Sequence, residues 1–272
     1  MQAYCINVAS EATRRALLEG QMASHLPPGW RWTWVDAVTP ASLDPARTSP
    51  GLKPGENACY QSHQRVIGLA AAAGGHALVL EDDVLLGPQS AGMIEGAIRS
   101  LPEEGWDLLF TDVAIPDPEP MLQLFLLRRR WQADGRVHLL DLRQLPFCGS
   151  TAYVINSASL SRVAAVANEN RHGLPYDLLL RQAIYEGRLQ GRLIFPFATT
   201  VSAMADASQI QAAGVQATDL VWNAYRRLVW AGQDLDPVAV TLAALPVAGV
   251  DAESALMGRI LAEALSPALV QK

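Results

Sequence analysis

The chain is poor in cysteine, carries no excess of positive charge and lacks long apolar runs. Its three cysteines are far apart and form no CxxC pair, which excludes a dense disulfide framework and favours a reducing compartment. The formal charge of -6 argues against the phosphate-driven binding of nucleic acid. The apolar segment "VAVTLAALPVAGV" contains Pro246 and is shorter than the about 20 residues of a membrane-spanning helix.

The first residues also lack the basic region and the long apolar stretch of a signal peptide. We therefore expect a cytoplasmic protein without a transmembrane segment. Peripheral contact with the inner face of a membrane would involve the tail, where Trp222, Arg226 and Trp230 share a helical face at a spacing of four. Packing of this face in the core or in an oligomer is the preferred interpretation, and the oligomeric state is not predicted.

Half of the 272 residues are apolar, so the chain can bury a large core. Strand-like runs alternate with runs of helical periodicity, which predicts an α/β fold with a mostly parallel central sheet covered on both faces. Two apolar runs around "ADG", residues 122–131 and 136–142, predict a hairpin as an antiparallel insertion. Because the chain after residue 206 is rich in alanine, we predict a domain over residues 1–206 and a helical extension over residues 207–272.

The segment "LVLEDDVLL" places three consecutive carboxylates, Glu81, Asp82 and Asp83, at the end of a predicted buried strand. Repulsion between neighbouring carboxylates and the cost of burying unpaired charge oppose this arrangement, so a cation or water has to relieve it. Ligands of α/β sheets bind beyond the carboxyl ends of the strands, and Mg²⁺ and Mn²⁺ prefer oxygen ligands. The cluster therefore indicates a site for Mn²⁺ or Mg²⁺, with a solvated turn as the alternative.

Six segments carry a resemblance to a known family. They are "YCINV" with the following "RR", "VDAVTP", "PGENACYQSH", "ALVLEDDVLL", "GSTAYVIN" and "LPYDLLL", in this order between residues 3 and 208. In this order they resemble the family 25 glycosyltransferases, which include lipooligosaccharide and procollagen galactosyltransferases. The chain departs from the family's pattern at Ala58, where glycine is usual, and at Tyr176, where a small aliphatic residue is usual.

The resemblance implies a GT-A type nucleotide-sugar-binding fold and a metal-dependent, inverting sugar transfer. The donor is most often UDP-galactose, and the acceptor is a hydroxyl of a saccharide, a glycolipid such as lipooligosaccharide, or a peptide. Asp83, which closes the "EDD" motif, is the first choice for a metal ligand and Glu81 the second. The residues expected to bind the UDP-sugar donor are Asn7, Arg14, Arg15, Asp36, Gly55, Glu56, Ser62, His63 and Asp82.

Several of these assignments have a structural alternative of similar weight. Asp82 contacts the ribose, the donor sugar or the metal, or it caps a turn. Arg14 and Arg15 bind the nucleotide or form a surface pair, and Asp36 contacts the nucleotide or stabilises a turn. His63 contacts the donor or is a hydrogen-bonded histidine within a helix.

An inverting transfer needs a carboxylate near the acceptor hydroxyl to take its proton. Asp177, at the start of the predicted helix "DLLLRQAIYEG", resembles the family's later aspartate and is the candidate for this general base. The alternative role is that of an N-cap or first-turn carboxylate that stabilises the helix. Asp112, at the end of the predicted strand "LLFTD", is the reserve candidate.

Two other functions compete with this hypothesis: a nucleotide-sugar-binding module of the same fold that has lost catalysis, and a Rossmann-type methyltransferase. The retained "EDD" motif and Asp177 favour an enzyme over the first. The second lacks support because no glycine-rich turn follows the first predicted strand. Cys59 and His63, four residues apart, are a weak zinc signal because no second pair of ligands matches them.

Overall fold

The computed structural model describes residues 1–169, 173–206 and 217–235. The strands are β1 (Gln2–Asn7), β2 (Arg31–Asp36), β3 (Ala77–Glu81), β4 (Val84–Leu85), β5 (Leu108–Phe110), β6 (His138–Asp141), β7 (Ala152–Ile155), β8 (Gly191–Phe195) and β9 (Thr200–Val201). The helices are α1 (Ala12–His25), α2 (Pro54–Ala73), α3 (Ser90–Ser100), α4 (Pro118–Asp134), α5 (Leu160–Asn168), α6 (Tyr176–Tyr185) and α7 (Ala217–Val229). Short 3₁₀ turns cover residues 40–42, 45–47, 142–144, 157–159 and 203–206.

Seven strands form one sheet in the order β2-β1-β3-β7-β5-β8-β6, and β4 pairs with β9 beside it. β7 and β6 run antiparallel to their neighbours, and the other five strands run in one direction. The predicted α/β fold with a mostly parallel central sheet is therefore confirmed. The carboxyl ends of β1, β2 and β3 meet at one edge of the sheet, with the antiparallel β7 beside β3.

Both faces of the sheet are covered, as predicted, because successive residues of β1 and β3 enter opposite cores. Ala3, Cys5, Leu78 and Leu80 pack with α1 and α3 on one face. Tyr4, Ile6, Ala77 and Val79 pack with α2, α5 and α6 on the other. Strands buried on both faces need near-continuous apolar runs, which accounts for "AYCIN" and "ALVL" in this chain. Any charged side chain at the end of such a strand therefore lies beside a dry interior.

The predicted hairpin over residues 122–142 is wrong, because its first run is the helix α4. The Asp117 side chain accepts a hydrogen bond from the backbone N–H of Glu119, and Pro118 occupies the first turn. Gly135 ends the helix in the left-handed region, at φ 67°. The run Met121, Leu124, Phe125 and Arg128 is buried on one face, which is a helical period rather than a strand period. The second run forms β6, which pairs with β8 and not with a preceding strand.

Helix α7 packs against the domain. The Tyr225 hydroxyl donates to the Met121 carbonyl of α4 at 2.8 Å, and residues 197 and 230 form an isolated parallel bridge. The core interpretation of the Trp222, Arg226 and Trp230 face is confirmed for Arg226, which is buried. The division at residue 206 stays a prediction, since residues 207–216 and 236–272 lie outside the described residues.

Arg226 of α7 forms a buried ion pair with Asp112, two residues beyond β5. Its Nε lies 2.9 Å from Oδ2 of Asp112 and its second nitrogen also contacts that oxygen. The Thr199 hydroxyl donates to the other carboxylate oxygen at 2.9 Å, and Arg226 also donates to the Thr151 hydroxyl. Since Asp112 is 0% exposed, removal of Arg226 would leave an unpaired charge in the interior.

We expect Arg226→Met to lower the free energy of unfolding by about 3–5 kcal/mol, because breaking a buried pair strands the remaining ion. Urea unfolding at neutral pH measures it. The matched control is Arg99→Met, since Arg99 pairs with Glu95 on the surface and such pairs contribute about 0–1 kcal/mol. Losses of similar, small size in both variants would contradict a structural role for the Arg226–Asp112 pair.

Candidate functional site

A pocket of about 250 Å³ lies at the carboxyl ends of β1 and β3. Its walls come from the end of β1, the segment after β2, the first half of α2 and the acidic cluster. The predicted site residues that line it are Arg14, Gly55, Ser62, His63, Glu81, Asp82 and Asp83. The fold thus brings together residues that are up to 69 positions apart in the chain (Arg14 and Asp83), while their individual roles stay predictions.

Glu81, the last residue of β3, is held by two side-chain donors on one oxygen. Nε2 of His63 and Oγ of Ser150 each lie 3.2 Å from its Oε1. Burial raises the pKa of the Glu81 carboxyl, but the hydrogen bond and charge of His63 and the hydrogen bond from Ser150 outweigh it, so the net pKa is below its usual value. Glu81 is therefore ionised at neutral pH.

Asp82 joins the acidic cluster to the start of the domain. Its Oδ2 accepts from the Asn7 side chain at 2.8 Å, and its Oδ1 accepts from Arg14 at 3.0 Å. Arg14 also donates to the Met204 carbonyl at 2.8 Å, so one guanidinium connects the cluster to the segment after β9. Both Asp82 oxygens thus have protein donors, which favours a positioning role for this residue over a metal contact.

Asp83 differs from Glu81 and Asp82 in its hydrogen-bond partners. Among the described residues its buried Oδ1 has no hydrogen-bond donor, and its Oδ2 lies 3.8 Å from Arg14. Burial and the neighbouring charge of Glu81 raise the pKa of the Asp83 carboxyl to about 7. Arg226 and Arg14 oppose this rise and Asp82 adds to it. A carboxylate oxygen without a hydrogen-bond donor, in the lining of a pocket, is the kind of oxygen ligand that a hard divalent cation prefers.

His63 of α2 is fully buried beneath the cluster. Its Nδ1 lies 3.0 Å from the Tyr153 hydroxyl, which lies 2.8 Å from the Tyr176 hydroxyl. The Tyr176 ring stacks on His63 with centroids 4.2 Å apart and planes 8° apart. The departure from the family's pattern at Tyr176 therefore fills space against His63, and the departure at Ala58 falls in the pocket wall.

Cys59 of α2, four residues before His63, also lines the pocket. Its sulfur lies with the ligand atoms of His63 and Glu81 in a group whose members are within 4.8 Å of one another. Burial raises the pKa of the Cys59 thiol, and the carboxylates of Glu81, Asp177 and Asp83 raise it further. The His63–Glu81 hydrogen bond already explains why these two residues lie close together. Glu81 therefore joins Cys59 and His63 as a third candidate ligand, but we assign no zinc ion to the group.

Four predicted donor-binding residues either have protein partners for their side chains or lie outside the pocket. The Ser62 hydroxyl donates to the Ala58 carbonyl and accepts from the Val38 N–H, both at 2.8 Å. The Glu56 carboxylate accepts from the Lys53 N–H at 2.8 Å and so caps α2. Arg15 is exposed and its guanidinium lies 4.7 Å from the Trp34 ring centre. Asp36 is exposed and does not line the pocket.

The two candidates for the general base have different surroundings. Asp177 lies in the first turn of α6, and its Oδ2 accepts from the Gly149 N–H at 2.8 Å. Ser150, the next residue, holds Glu81, so adjacent residues connect Asp177 to the acidic cluster. The reserve role of Asp112 gains no support, because its carboxylate is fully buried and accepts from Arg226 and Thr199.

Sequence reasoning missed Ser150, Tyr153 and Arg226 as neighbours of the site. Ser150 and Tyr153 lie in "GSTAYVIN", so the resemblance marked the segment without assigning them roles. Arg226 was predicted only as part of a packed helical face with Trp222 and Trp230, and not near the site, because the tail was predicted to lie outside the domain. Only the pairing of β7 with β3 and the packing of α7 bring these residues to the cluster.

Comparisons with known proteins assign no family. No family model matches the chain, and no curated protein matches it. Among solved structures, the crystal structure of a glycosyltransferase involved in the glycosylation of the major capsid of PBCV-1 is 16% identical, with a TM-score of 0.39 over 71% of this chain and 79% of that one. That TM-score is too low to establish a shared fold, so a function has to be argued from the residues of the site.

No helix in the described part of the chain has both the length and the apolar character needed to cross a membrane.

We expect Asp83→Asn to stabilise the protein above pH 7. The folded-state pKa of Asp83, about 7, exceeds the ordinary value of 3.8, so the folded chain holds this proton where the unfolded chain has lost it. The free energy of unfolding therefore falls as pH rises from about 4 to about 7 and stays reduced above, by on the order of a few kcal/mol. Urea unfolding at pH 5 and pH 8, with a metal chelator present, measures the difference.

Asp82→Asn is the matched control for this experiment. It weakens the bonds to Asn7 and Arg14 and should destabilise the chain at pH 8. If Asp83→Asn were less stable than the parent at pH 8, the Asp83 carboxylate would have a stabilising partner. The interpretation of its unpaired oxygen would then be wrong.

Proposed function

We propose that the chain is a glycosyltransferase that binds a nucleoside diphosphate sugar together with Mn²⁺ or Mg²⁺. The observation that carries this proposal is the buried Oδ1 of Asp83, which has no hydrogen-bond partner among the described residues, beside ionised Glu81 in the lining of a pocket at the sheet's carboxyl edge. The six ordered segments that resemble the family 25 glycosyltransferases support it independently. Five of the seven strands run in one direction, with β7 reversed beside β3, and this sheet is compatible with the GT-A type.

Asp83 and Glu81 are the residues that would hold the cation. Oε1 of Glu81 is occupied by His63 and Ser150, which leaves Oε2 for the cation, and Asp83 offers Oδ1. A divalent cation held there would supply positive charge for the diphosphate and for the departing UDP. Arg14 lines the same pocket and contacts Asp82 and Asp83, so it adds positive charge near the expected diphosphate.

The pocket also suits the nucleotide end of the donor. Ile6, Val8 and Val38 give its wall an apolar surface on which a planar base can pack, as is common in nucleotide sites. The Gly55 backbone lies at the start of α2, where helix N–H groups and the helix dipole favour a negatively charged group. UDP-galactose is the proposed donor, on the strength of the family resemblance.

Asp177 is the proposed general base. The acceptor oxygen attacks the anomeric carbon on the face opposite UDP while the bond from that carbon to UDP breaks, and Asp177 takes the acceptor's proton. The hydrogen bond from the Gly149 N–H fixes one carboxylate oxygen and so orients the side chain. The acceptor is a hydroxyl of a saccharide, a glycolipid or a peptide.

We expect Asp83→Asn to weaken binding of UDP in the presence of Mn²⁺ by more than the roughly 10–100-fold that follows loss of an outer-shell partner. Isothermal titration calorimetry with UDP, with and without Mn²⁺, measures the effect. Asp117→Asn is the control, because Asp117 is exposed and outside the pocket, and its affinity should equal that of the parent. Unchanged, metal-dependent UDP binding by Asp83→Asn would exclude this residue as a ligand.

We expect Asp177→Asn to reduce sugar transfer by roughly a hundredfold to ten-thousandfold, the usual contribution of a general base. UDP binding should persist, because Asp177 does not line the donor pocket. Release of UDP from UDP-galactose, measured with a panel of saccharide, glycolipid and peptide acceptors, gives the rate. Asp117→Asn is a matched control, since Asp117 also stands at a helix start. Equal rates for Asp177→Asn and the parent would rule out the role.

A further inference from the structure

Residues 202–206, here called the 202–206 segment, form part of the pocket wall. They follow β9, which pairs with β4, the strand directly after the acidic cluster. The Ser202 N–H donates to the Asp83 carbonyl at 2.8 Å, and the Ala205 N–H donates to the Ser202 carbonyl at 3.1 Å. Ala205 itself lines the pocket. The first residue of the segment is therefore attached to the cluster through the backbone.

Two polar side chains of α7 hold the other end of the segment, at Asp206. The Arg227 guanidinium donates to both carboxylate oxygens, at 3.2 Å and 3.1 Å. The Asn223 amide donates to Oδ1 at 3.0 Å, and Asn223 is buried. An arginine that contacts both oxygens of a carboxylate fixes its direction as well as its distance. α7 therefore determines where the segment ends.

Arg14 contacts the middle of the segment. It donates to the Met204 carbonyl at 2.8 Å and to the Asp82 carboxylate at 3.0 Å, and it lies 3.8 Å from Asp83. A long side chain loses rotamer freedom when it is held in one geometry, so acceptors that are already in place favour that geometry. Since the Met204 carbonyl lies between two attached ends, its position helps to set the direction of the guanidinium in the pocket.

We infer that Asp206 is a positioning residue for the donor. Its contacts with α7 fix the 202–206 segment, and the Met204 carbonyl of that segment orients Arg14 toward the diphosphate of a nucleoside diphosphate sugar. The part of this inference that concerns the donor rests on the proposed function. Asp206 does not line the pocket, so it acts through Arg14 rather than by touching the donor. α7, which follows the predicted boundary at residue 206, thereby takes part in donor binding.

The anchoring of the segment can be measured without any ligand, by NMR of amide hydrogen exchange in the full chain. Asp206→Ala should speed exchange at the N–H groups of Ser202 and Ala205, because local opening of the segment becomes easier. The Glu81 N–H, which donates to the Thr151 carbonyl at 2.8 Å, should keep its rate. Unchanged exchange at Ser202 and Ala205 would overturn the anchoring role of Asp206.

Asp141→Ala is the matched control. Asp141 also contacts two arginine side chains, Arg143 and Arg192, each at 2.9 Å, and its exposed fraction is similar to that of Asp206, 20% against 29%. It lies on β6, at the end of the sheet remote from β1 and β3. The control therefore removes a comparable ion pair away from the pocket, and it should change neither the exchange rates nor the donor affinity.

The effect on the donor is measured by calorimetry with UDP in the presence of Mn²⁺. Asp206→Ala and Arg227→Met are expected to weaken binding about 2- to 30-fold, the range for residues that act through a chain of contacts. Arg14→Met should weaken binding as well. Adding Asp206→Ala to Arg14→Met should then cause no further loss, because residues that act through a shared partner are not additive.

The outcomes separate the inference from the function on which it rests. If the parent binds no UDP with Mn²⁺, the proposed function fails, while the exchange rates still decide whether Asp206 holds the segment. If the parent binds UDP, unchanged affinity in Asp206→Ala would overturn the positioning role. Additive losses in the double variant would also overturn it, because Asp206 would then act independently of Arg14. Should Asp206→Ala not fold, Arg227→Met removes the same ion pair from α7 and is judged by the same criteria.

Discussion

Negative charge at the buried end of β3 is the constraint on which the site depends. Three carboxylates follow one another in the chain, yet each has different hydrogen-bond partners. Glu81 is held by His63 and Ser150, and Asp82 by Asn7 and Arg14. The buried oxygen of Asp83 has no donor among the described residues. Because an unpaired charge in a dry setting is costly, the asymmetry marks Asp83 as the place where a cation from outside would complete the arrangement.

The rest of the fold supplies the counter-groups for this cluster. Arg14 comes from α1, His63 from α2 and Arg226 from α7, so helices from both faces of the sheet converge on the end of β3. Burial raises the pKa of Asp83, and the charges of Arg226 and Arg14 limit the rise. The tail helix therefore influences the electrostatics of the site through Arg226, although Arg226 binds Asp112 and not the cluster itself.

The sequence predicted the sheet and the location of the acidic cluster because both depend on local pattern. Continuous apolar runs such as "ALVL" mark strands buried on both faces, and an acidic residue after such a run must lie at a strand end. The helix over residues 118–134 was not predicted, because the turn-forming residues "ADG" between two apolar runs also fit a hairpin, and only the helical period of Met121, Leu124 and Phe125 favours α4. The partners of Glu81 could not be predicted from pattern, because Ser150 reaches it only through the antiparallel pairing of β7 with β3.

Crystals grown with UDP and Mn²⁺, with diffraction recorded at the manganese absorption edge, would show directly whether Asp83 and Glu81 hold the cation. The anomalous signal locates the ion independently of the protein atoms. We expect a peak within ligand distance of the Asp83 carboxylate and of Glu81, with the diphosphate of UDP as a further ligand. A fully occupied manganese peak elsewhere, with UDP bound and Asp83 touching neither, would contradict it.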